Sequence, residues 1–351
     1  MMNNVIIYGA YGYTGRLIVE RAVELGWTPT LAGRNLSLVK TLAEKYNLPF
    51  VSFEFDDKRS WDNALKDKDL LLNCAGPFSI TIRDILPACI RNNTHYCDIT
   101  GEIEVFEYIQ GNDQKAKDAG IVMLPGVGFD VVPTDCLSLF LKEQLPTATH
   151  LELAFESNSG LSRGTAFSVL NRFHKGSAIR ENRVIKEMAA ASSNKLLPFN
   201  GKMKNAVGIA WGDVFTSFYT TGIPNIQVYT AMPEKTMNIM RKAGKWSWLI
   251  KTKLVQKMGR RIINKRIKGP GAEKRDSLMA HLYGKVWDDN GNVVEASLNT
   301  LESYKLTSIT ALICAEKILK GEASAGYNTP AGAFGSELIM EVEGSTRQLL
   351  D

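Results

Sequence analysis

The sequence predicts an α/β protein: a Rossmann-type, doubly wound parallel sheet with a second α+β domain built on a mainly antiparallel sheet. Three observations predict it. Over residues 1–135, short apolar runs alternate with segments of helical spacing, the pattern of repeated β-α-β units. A glycine-rich turn, Gly9-Ala10-Tyr11-Gly12-Tyr13-Thr14-Gly15, stands at the first strand-to-helix junction. Beyond about His150 the pattern changes to longer strands and a strong hairpin signal. The length, 351 residues, suits two domains at roughly 150 residues each. The expected domains are 1–135, a dinucleotide-binding unit, and 150–303, a substrate or dimerisation unit, with 304–351 returning to the first.

Val5 to Tyr8 reads as a short buried strand. Thr14 to Leu25 follows with Leu17, Ile18, Ala22 and Leu25 at helical spacing, ended by Gly26. Thr30 to Ala32 is a second strand, and Ser37 to Tyr46 a helix with Ser37 as its N-cap. Phe50 to Phe53 and Asp69 to Asn73 are the third and fourth strands. Helix Ile82 to Asn92, strand His95 to Ile99, a helix over Glu104 to Ala119 and strand Ile121 to Leu124 complete the first domain. In the second, His150 to Glu156 alternates as a strand and Gly164 to Ala191 reads as helix. Val214 to Thr220 and Ile226 to Ala231 read as paired strands. Met279 to Trp287 and Val293 to Thr300 form a hairpin around Asp288-Asp289-Asn290-Gly291-Asn292. Tyr304 to Leu319 is the last helix.

The glycine turn has the spacing GxxGxxG. Glycines there permit a tight turn and let a pyrophosphate approach the backbone, while the next helix presents its N–H groups and dipole. Gly9, Tyr11, Gly12, Tyr13, Thr14 and Gly15 are the expected contacts. The second strand ends Ala32-Gly33-Arg34-Asn35, with Arg34 where an NAD enzyme places an acid on the ribose 2′-hydroxyl. A guanidinium there suits a 2′-phosphate, so NADP is the expected cofactor. Cys74, Ala75, Gly76 and Pro77, closing the fourth strand, would let the cofactor pass close to the chain.

Ligands of open α/β sheets bind beyond the carboxyl ends of the strands. Tyr96, Asp98 and Glu102 stand at one such end and Asp130 at the next. Glu102 reads equally as a helix cap. His95 reads as a general acid or, by its position at a strand start, as a structural residue, the second being preferred, and Asp135 serves a helix N-terminus. Arg163, Gly164 and Thr165, opening a helix of the second domain, form a candidate anion site for substrate, with an ordinary capped helix as the alternative. No Tyr is followed four residues later by Lys, so the pair of short-chain reductases is missing. No His, Cys or carboxylate cluster has metal spacing, and no metal is expected.

The chain carries 42 Lys and Arg against 37 Asp and Glu. This charge is uneven. Residues 235–275 hold 14 Lys and Arg and one acid, Glu273, so the rest of the chain is net acidic. Apolar residues 250, 254, 258 and 262 recur by four within it. One reading is a helix packed on the second domain's sheet with a solvated basic face. The other is a peripheral helix at an anionic membrane, with Trp246 and Trp248 at the interface. Nucleic acid is not expected, because no recognition motif accompanies the charge. Five cysteines without CxxC spacing point to free buried thiols in a reducing compartment. With no basic, apolar leader and no run near the ~20 residues a span needs, the expected location is cytoplasmic, or peripheral on a membrane. A homodimer is compatible with this composition.

The sequence resembles the saccharopine dehydrogenase-like oxidoreductase family. The resemblance rests on the loop Gly9 to Gly15, Ala32-Gly33-Arg34-Asn35, Asn73 to Phe78, Thr94 to Glu102, Gly128 to Asp135, Gly164-Thr165, and Gly269-Pro270 with Arg275. It implies an NADP-binding Rossmann domain carrying a second α+β domain. Length and motifs are most similar to the trans-acting enoyl reductase branch. That branch implies hydride transfer from NADPH to the β-carbon of an unsaturated acyl or lipid-like substrate. Tyr96 would then protonate the α-carbon, with Glu102 or Asp130 orienting. Two alternatives stay open: a reductive aminase of the saccharopine dehydrogenase type, and a non-catalytic NADP-binding redox sensor or scaffold at a membrane.

Overall fold

The computed structural model describes residues 3–244 and 252–350. The chain forms two compact units, Met1–Asp130 with Tyr304–Phe334, and Val131–Ser303 with Gly335–Asp351. The first opens with β1 (Val5–Tyr8), α1 (Tyr13–Glu24), β2 (Thr30–Gly33), α2 (Leu36–Tyr46), β3 (Phe50–Ser52) and α3 (Lys58–Leu65). It continues with β4 (Leu70–Asn73), α4 (Phe78–Arg91), β5 (His95–Asp98), α5 (Ile103–Gln110), α6 (Asp113–Asp118) and β6 (Val122–Leu124).

The second unit begins with α7 (Val132–Gln144), β7 (His150–Glu156), α8 (Arg163–Arg172), β8 (Ser177–Glu181) and β9 (Val184–Met188). Next come β10 (Asn194–Phe199), β11 (Lys202–Gly208), α9 (Asp213–Thr221), β12 (Asn225–Ala231) and α10 (Glu234–Gly244). Then follow α11 (Lys253–Arg266), α12 (Ala272–Ser277), β13 (Met279–Trp287) and β14 (Val293–Leu301). The chain re-enters the first unit through α13 (Ser303–Leu319), β15 (Gly326–Tyr327) and α14 (Pro330–Phe334), and ends in the second with β16 (Thr346–Leu350).

The first sheet runs β3-β2-β1-β4-β5-β6-β15, and every pairing is parallel. This is the dinucleotide-binding strand order, with the reversal between β1 and β4. β1, β2 and β4 are buried along their whole length. Their near-continuous apolar runs are what a parallel sheet covered on both faces requires. Tyr8, Trp61, Phe78 and Tyr96 are among the large side chains of the core around this sheet.

The second sheet runs β10-β11-β12-β7-β13-β14-β16 with the β8–β9 hairpin attached to β12. Among the described residues only β7 and β12 pair in parallel, so the sheet is mainly antiparallel. α7 covers one face, where a Cβ on Gly284 would meet Leu141 at 2.5 Å. The other face carries paired charges: Lys285 meets Glu295 at 2.8 Å, Lys204 meets Glu156 at 2.6 Å, and Lys195 pairs with Glu152. The expected hairpin of β13 and β14 forms, and the Asp288 carboxylate fastens its turn. It accepts from the N–H groups of Asn290 and Asn292 and from the Thr147 hydroxyl. A bond from the Asn292 side chain first, and then those from Thr147 and the two N–H groups, hold it near pKa 2.

Several elements depart from the sequence reading. Val214 to Thr220 is not a strand but most of α9. Its β-branched and aromatic composition favours extended chain, yet Val214, Phe215, Thr216 and Ser217 are buried in a helix packed against α7. The expected long helix from Gly164 to Ala191 ends at Arg172. β8 and β9 then turn at Asn182 and Arg183, both with positive φ (49° and 70°), a turn that lacks the usual glycine signal. The helix expected over Glu104 to Ala119 breaks at Gly111 into α5 and α6. Asn35, not Ser37, caps α2: its Oδ1 accepts from Leu38 N at 3.1 Å. α3 is mostly polar, and only Trp61 and Leu65 anchor it, too few to show a helical period. The tail divides, because β15 pairs with β6 and β16 with β14.

Candidate functional site

The carboxyl ends of the first sheet's strands carry most of the expected site residues. At the end of β1, Gly9 takes φ +80°, and a Cβ there would stand 2.8 Å from Ala75 N and 2.9 Å from the Cys74 carbonyl carbon. The β1 and β4 ends approach so closely that only hydrogen fits. A Cβ on Gly15 would lie 2.4 Å from Gly9 O, so α1 also packs against the strand end. Gly12 is the N-cap of α1 and has no side chain to cap it. A loop that leaves the first turn of a helix open in this way fits a pyrophosphate. Tyr11 lies over Gly33, and Tyr13 meets Tyr304 edge-on at 4.9 Å. Thr14, in the first turn of α1, is half-buried.

Arg34 leaves the end of β2 exposed, its guanidinium carbon 5.9 Å from the centroid of Phe55. Among the described residues it makes no ion pair. A solvent-facing guanidinium with free donors fits a phosphate. Asn35 is engaged as the cap of α2.

Beyond β4, Cys74 and Ala75 are half-buried and Gly76 is exposed. Burial raises the Cys74 thiol well above its ordinary pKa. All five cysteines are free thiols. The Asn73 side chain accepts from Ala75 N at 3.0 Å, and Thr81 donates to Ala75 O at 2.9 Å. Pro77 is the N-cap residue of α4, and Glu102 supplies the capping bonds from a distance. Its carboxylate accepts from Phe78 N at 3.3 Å and Ser79 N at 3.1 Å. Glu102 is therefore a cap, but of α4 rather than of the helix that follows it.

Tyr96 corrects an expectation. Its ring is fully buried in the core, its hydroxyl donates to Asp98 Oδ2 at 2.6 Å, and Asn73 Nδ2 donates to it at 3.3 Å. Burial and the Asp98 carboxylate raise the phenol well above its usual pKa. This geometry joins β4 to β5 rather than delivering a proton outward. Asp98 Oδ1 accepts from Thr100 N and Gly126 N, each at 3.0 Å, which ties the ends of β5 and β6 together. Burial lifts Asp98 to about pKa 6 despite these bonds. His95 is structural: Nδ1 accepts from Val122 N at 2.9 Å, and burial lowers its pKa.

Asp130 is different. It is half-buried beyond β6, with its carboxyl against Gly101, where a Cβ would meet Asp130 Oδ2 at 2.7 Å. Burial first, and then the charge of Glu102, push it to about pKa 7. A carboxyl that titrates near neutrality can both hold and release a proton. α13 supports the loop leading to it. Phe129 N donates to Thr307 Oγ1 at 3.0 Å, and Thr310 donates to Val127 O at 2.8 Å. No pattern in the sequence pointed to these threonines, because residues so far apart meet only in the folded chain.

The remaining expected residues lie in the second unit. Ser162 caps α8, accepting from Thr165 N at 3.2 Å. Arg163 Nε donates to Ile267 O at 2.7 Å, and Gly164 is exposed. Here the ordinary capped helix is what the geometry supports, and an anion is not needed to explain it. Gly160-Leu161-Ser162-Arg163-Gly164 also spells G-x-S-x-G, the pattern of a hydrolase nucleophile. Ser162 bonds instead within its own cap, with Thr165 Oγ1 at 3.0 Å. The ring nitrogens of His95, His150 and His281 bond elsewhere. Asp135, buried in the first turn of α7, accepts from the Thr220 hydroxyl. Among the described residues no cluster of three His, Cys, Asp or Glu side chains could hold a metal, and no helix is long and apolar enough to cross a membrane. Trp246, Trp248 and residue 250 lie outside the described residues.

Residues 5–124 match the family model of the saccharopine dehydrogenase NADP binding domain. A saccharopine dehydrogenase-like oxidoreductase of Mus musculus is 27% identical over 210 residues, 52% of this chain and 48% of the relative. The chain thus spans about half the length of the curated relatives it matches. A trans-acting enoyl reductase of Mycobacterium bovis is more distant, 24% identical over 38% of this chain and 34% of its own. Among solved structures, the saccharopine dehydrogenase (L-Glu forming) of Saccharomyces cerevisiae shares the fold. Its TM-score is 0.68 at 12% identity, covering 99% of this chain and 100% of that one. Residues 5–124 thus form a saccharopine dehydrogenase NADP binding domain, and the chain is similar to saccharopine dehydrogenase-like oxidoreductases.

Proposed function

We propose that this chain is an NADP-dependent oxidoreductase that reduces an unsaturated acyl or lipid-like substrate. The observation that carries the cofactor half is the open glycine turn beside an exposed Arg34 at the end of β2, the position where an NAD enzyme carries an acid for the ribose hydroxyl. The substrate half is supported by the likeness to a trans-acting enoyl reductase.

Bound NADPH would supply a hydride. Gly9, Gly12 and Gly15 would let the pyrophosphate reach the first-turn N–H groups of α1. Arg34 would take the 2′-phosphate through paired N–H donors. Cys74, Ala75 and Gly76 would border the cofactor where β4 ends, held there by Asn73 and by the Glu102 cap on α4. Asp130 would hold the proton that the reduced carbon framework needs, since it is protonated in a good fraction of molecules near neutral pH.

Loss of NADPH absorbance in the presence of an enoyl-acyl panel tests the reading. Turnover with an acyl substrate supports it. Tight NADPH binding without turnover on any acyl or imine substrate would overturn the catalytic half and leave a nucleotide-binding sensor.

A further inference from the structure

α11 carries a surface that its unit leaves uncovered. One side of the helix packs on α8: a Cβ on Gly259 would meet the Leu170 side chain at 2.7 Å, Gln256 donates to Leu170 O at 3.4 Å, and Ile263 is 8% exposed. This contact replaces the expected packing on the sheet. Another side carries Leu254, Met258 and Ile262, which are 70%, 53% and 54% exposed. Their spacing by four sets them in one row. Three residues on from each stands an exposed base: Lys257, Arg261 and Lys265. At that offset the basic row lies beside the apolar one. The helix contains no acid, and among the described residues none of these three bases joins an ion pair. α10 carries a smaller basic and apolar patch, with one exposed apolar residue and one acid, Glu234, in its first turn. It buries Met237 beside Ala191 and Val207 and leaves Ile239 59% exposed, with Lys235 and Lys242 exposed to either side in sequence.

Three kinds of partner could cover such a face, and two fit poorly. A nucleic acid would meet the charge but has no place for a row of Leu, Met and Ile. A second copy of α11 would bring the same positive charge and no acid to meet it. An anionic phospholipid surface satisfies both rows, the apolar one at the headgroup–acyl boundary and the bases at the phosphates. We infer that α11, together with α10, seats this unit peripherally on an anionic phospholipid surface.

Co-sedimentation of the full chain with vesicles tests this. One set is phosphatidylcholine alone and the other phosphatidylcholine with phosphatidylglycerol. Binding is expected only to the second set, and to weaken as salt rises. Lys257→Glu with Arg261→Glu and Lys265→Glu should weaken it by at least about a hundredfold, taking roughly fivefold per lost base. Leu254→Ser with Met258→Ser and Ile262→Ser should also release the protein. All six positions are exposed, so both variants should keep the wild-type circular dichroism and melting temperature. No sedimentation of the wild type at low salt overturns the inference. Full binding by the apolar variant overturns it in favour of a generic polyanion site. A wild-type dimer that the apolar variant splits, with vesicle binding intact, assigns the face to a second copy.

Discussion

Thr307 on α13 accepts a hydrogen bond from the backbone N–H of Phe129 at 3.0 Å, across 178 positions of sequence. The neighbouring Gly128 leaves room for this, since a Cβ there would meet Thr307 at 2.8 Å. The loop that ends in Asp130 is thus fixed by a helix from the far end of the chain.

Thr307→Val keeps the side chain's shape and removes the acceptor. It should cost about 1–3 kcal/mol of stability by leaving a buried N–H without that partner. Because the loop before Asp130 loosens, hydrogen exchange at the amides of 126–130 should accelerate more than at β1 or β4. Uniform acceleration across the unit would contradict a local tether.

Arg34→Ala should weaken NADPH binding by about ten- to a hundredfold, from the loss of charge-assisted hydrogen bonds, and leave NADH nearly unchanged. Calorimetric titration with both cofactors reads the difference. Equal losses for the two, or no preference in the wild type, would remove the 2′-phosphate from the role of Arg34.

Tyr96→Phe separates a structural phenol from a proton donor. The buried Asp98 carboxylate and Asn73 amide lose a partner, so the variant should be less stable by about 1–3 kcal/mol. Where it remains folded, its turnover number should stay near that of the wild type. A loss of turnover by several orders of magnitude in a folded variant would restore Tyr96 to the chemistry.

Asp130 and Asp98 set a pH dependence with a definite sign. Both carboxyls are raised from 3.8, to about 7 and about 6, chiefly by burial. Between these limits the folded chain keeps protons that the unfolded chain has released. Stability contributed by these groups is therefore full below about pH 4 and is lost as pH rises through 6 and 7. Asp130→Asn removes the upper part of that slope. Its urea midpoint should exceed the wild-type value by a margin that grows from pH 5 to pH 8. A margin that stays flat over this range would show that Asp130 is charged throughout.

Glu102→Ala should leave two N–H groups at the start of α4 without their carboxylate, at a cost of about 1–2 kcal/mol. Cofactor affinity should fall with it, since α4 sets where Gly76 and Pro77 stand. Glu102→Gln, which keeps an acceptor, should recover most of both losses. Equal damage from the two variants would mean that the charge acts on something other than the cap.

The sequence by itself determined the class of the first domain and its cofactor turn. Both are local matters: strand and helix periods repeat within a few residues, and Gly9, Gly12, Gly15 and Arg34 sit at spacings measured along the chain. It also announced the β13–β14 hairpin, whose Asp and Asn turn residues bond to one another. The tertiary structure decided what depends on neighbours distant in sequence. Tyr96 shows the same face-alternating pattern whether it looks outward or into the core, and only its bond to Asp98 tells which. Glu102 proved to cap α4 rather than α5, because the β4 and β5 ends lie side by side. α9 overrode a strand-like composition because α7 offered its apolar residues a surface. The row of Leu254, Met258 and Ile262 has one periodicity for a buried and an exposed helix alike. Packing on α8 through Gly259 and Ile263 decided that the row stays in the open, since a helix can bury one face against its neighbour and leave another to solvent.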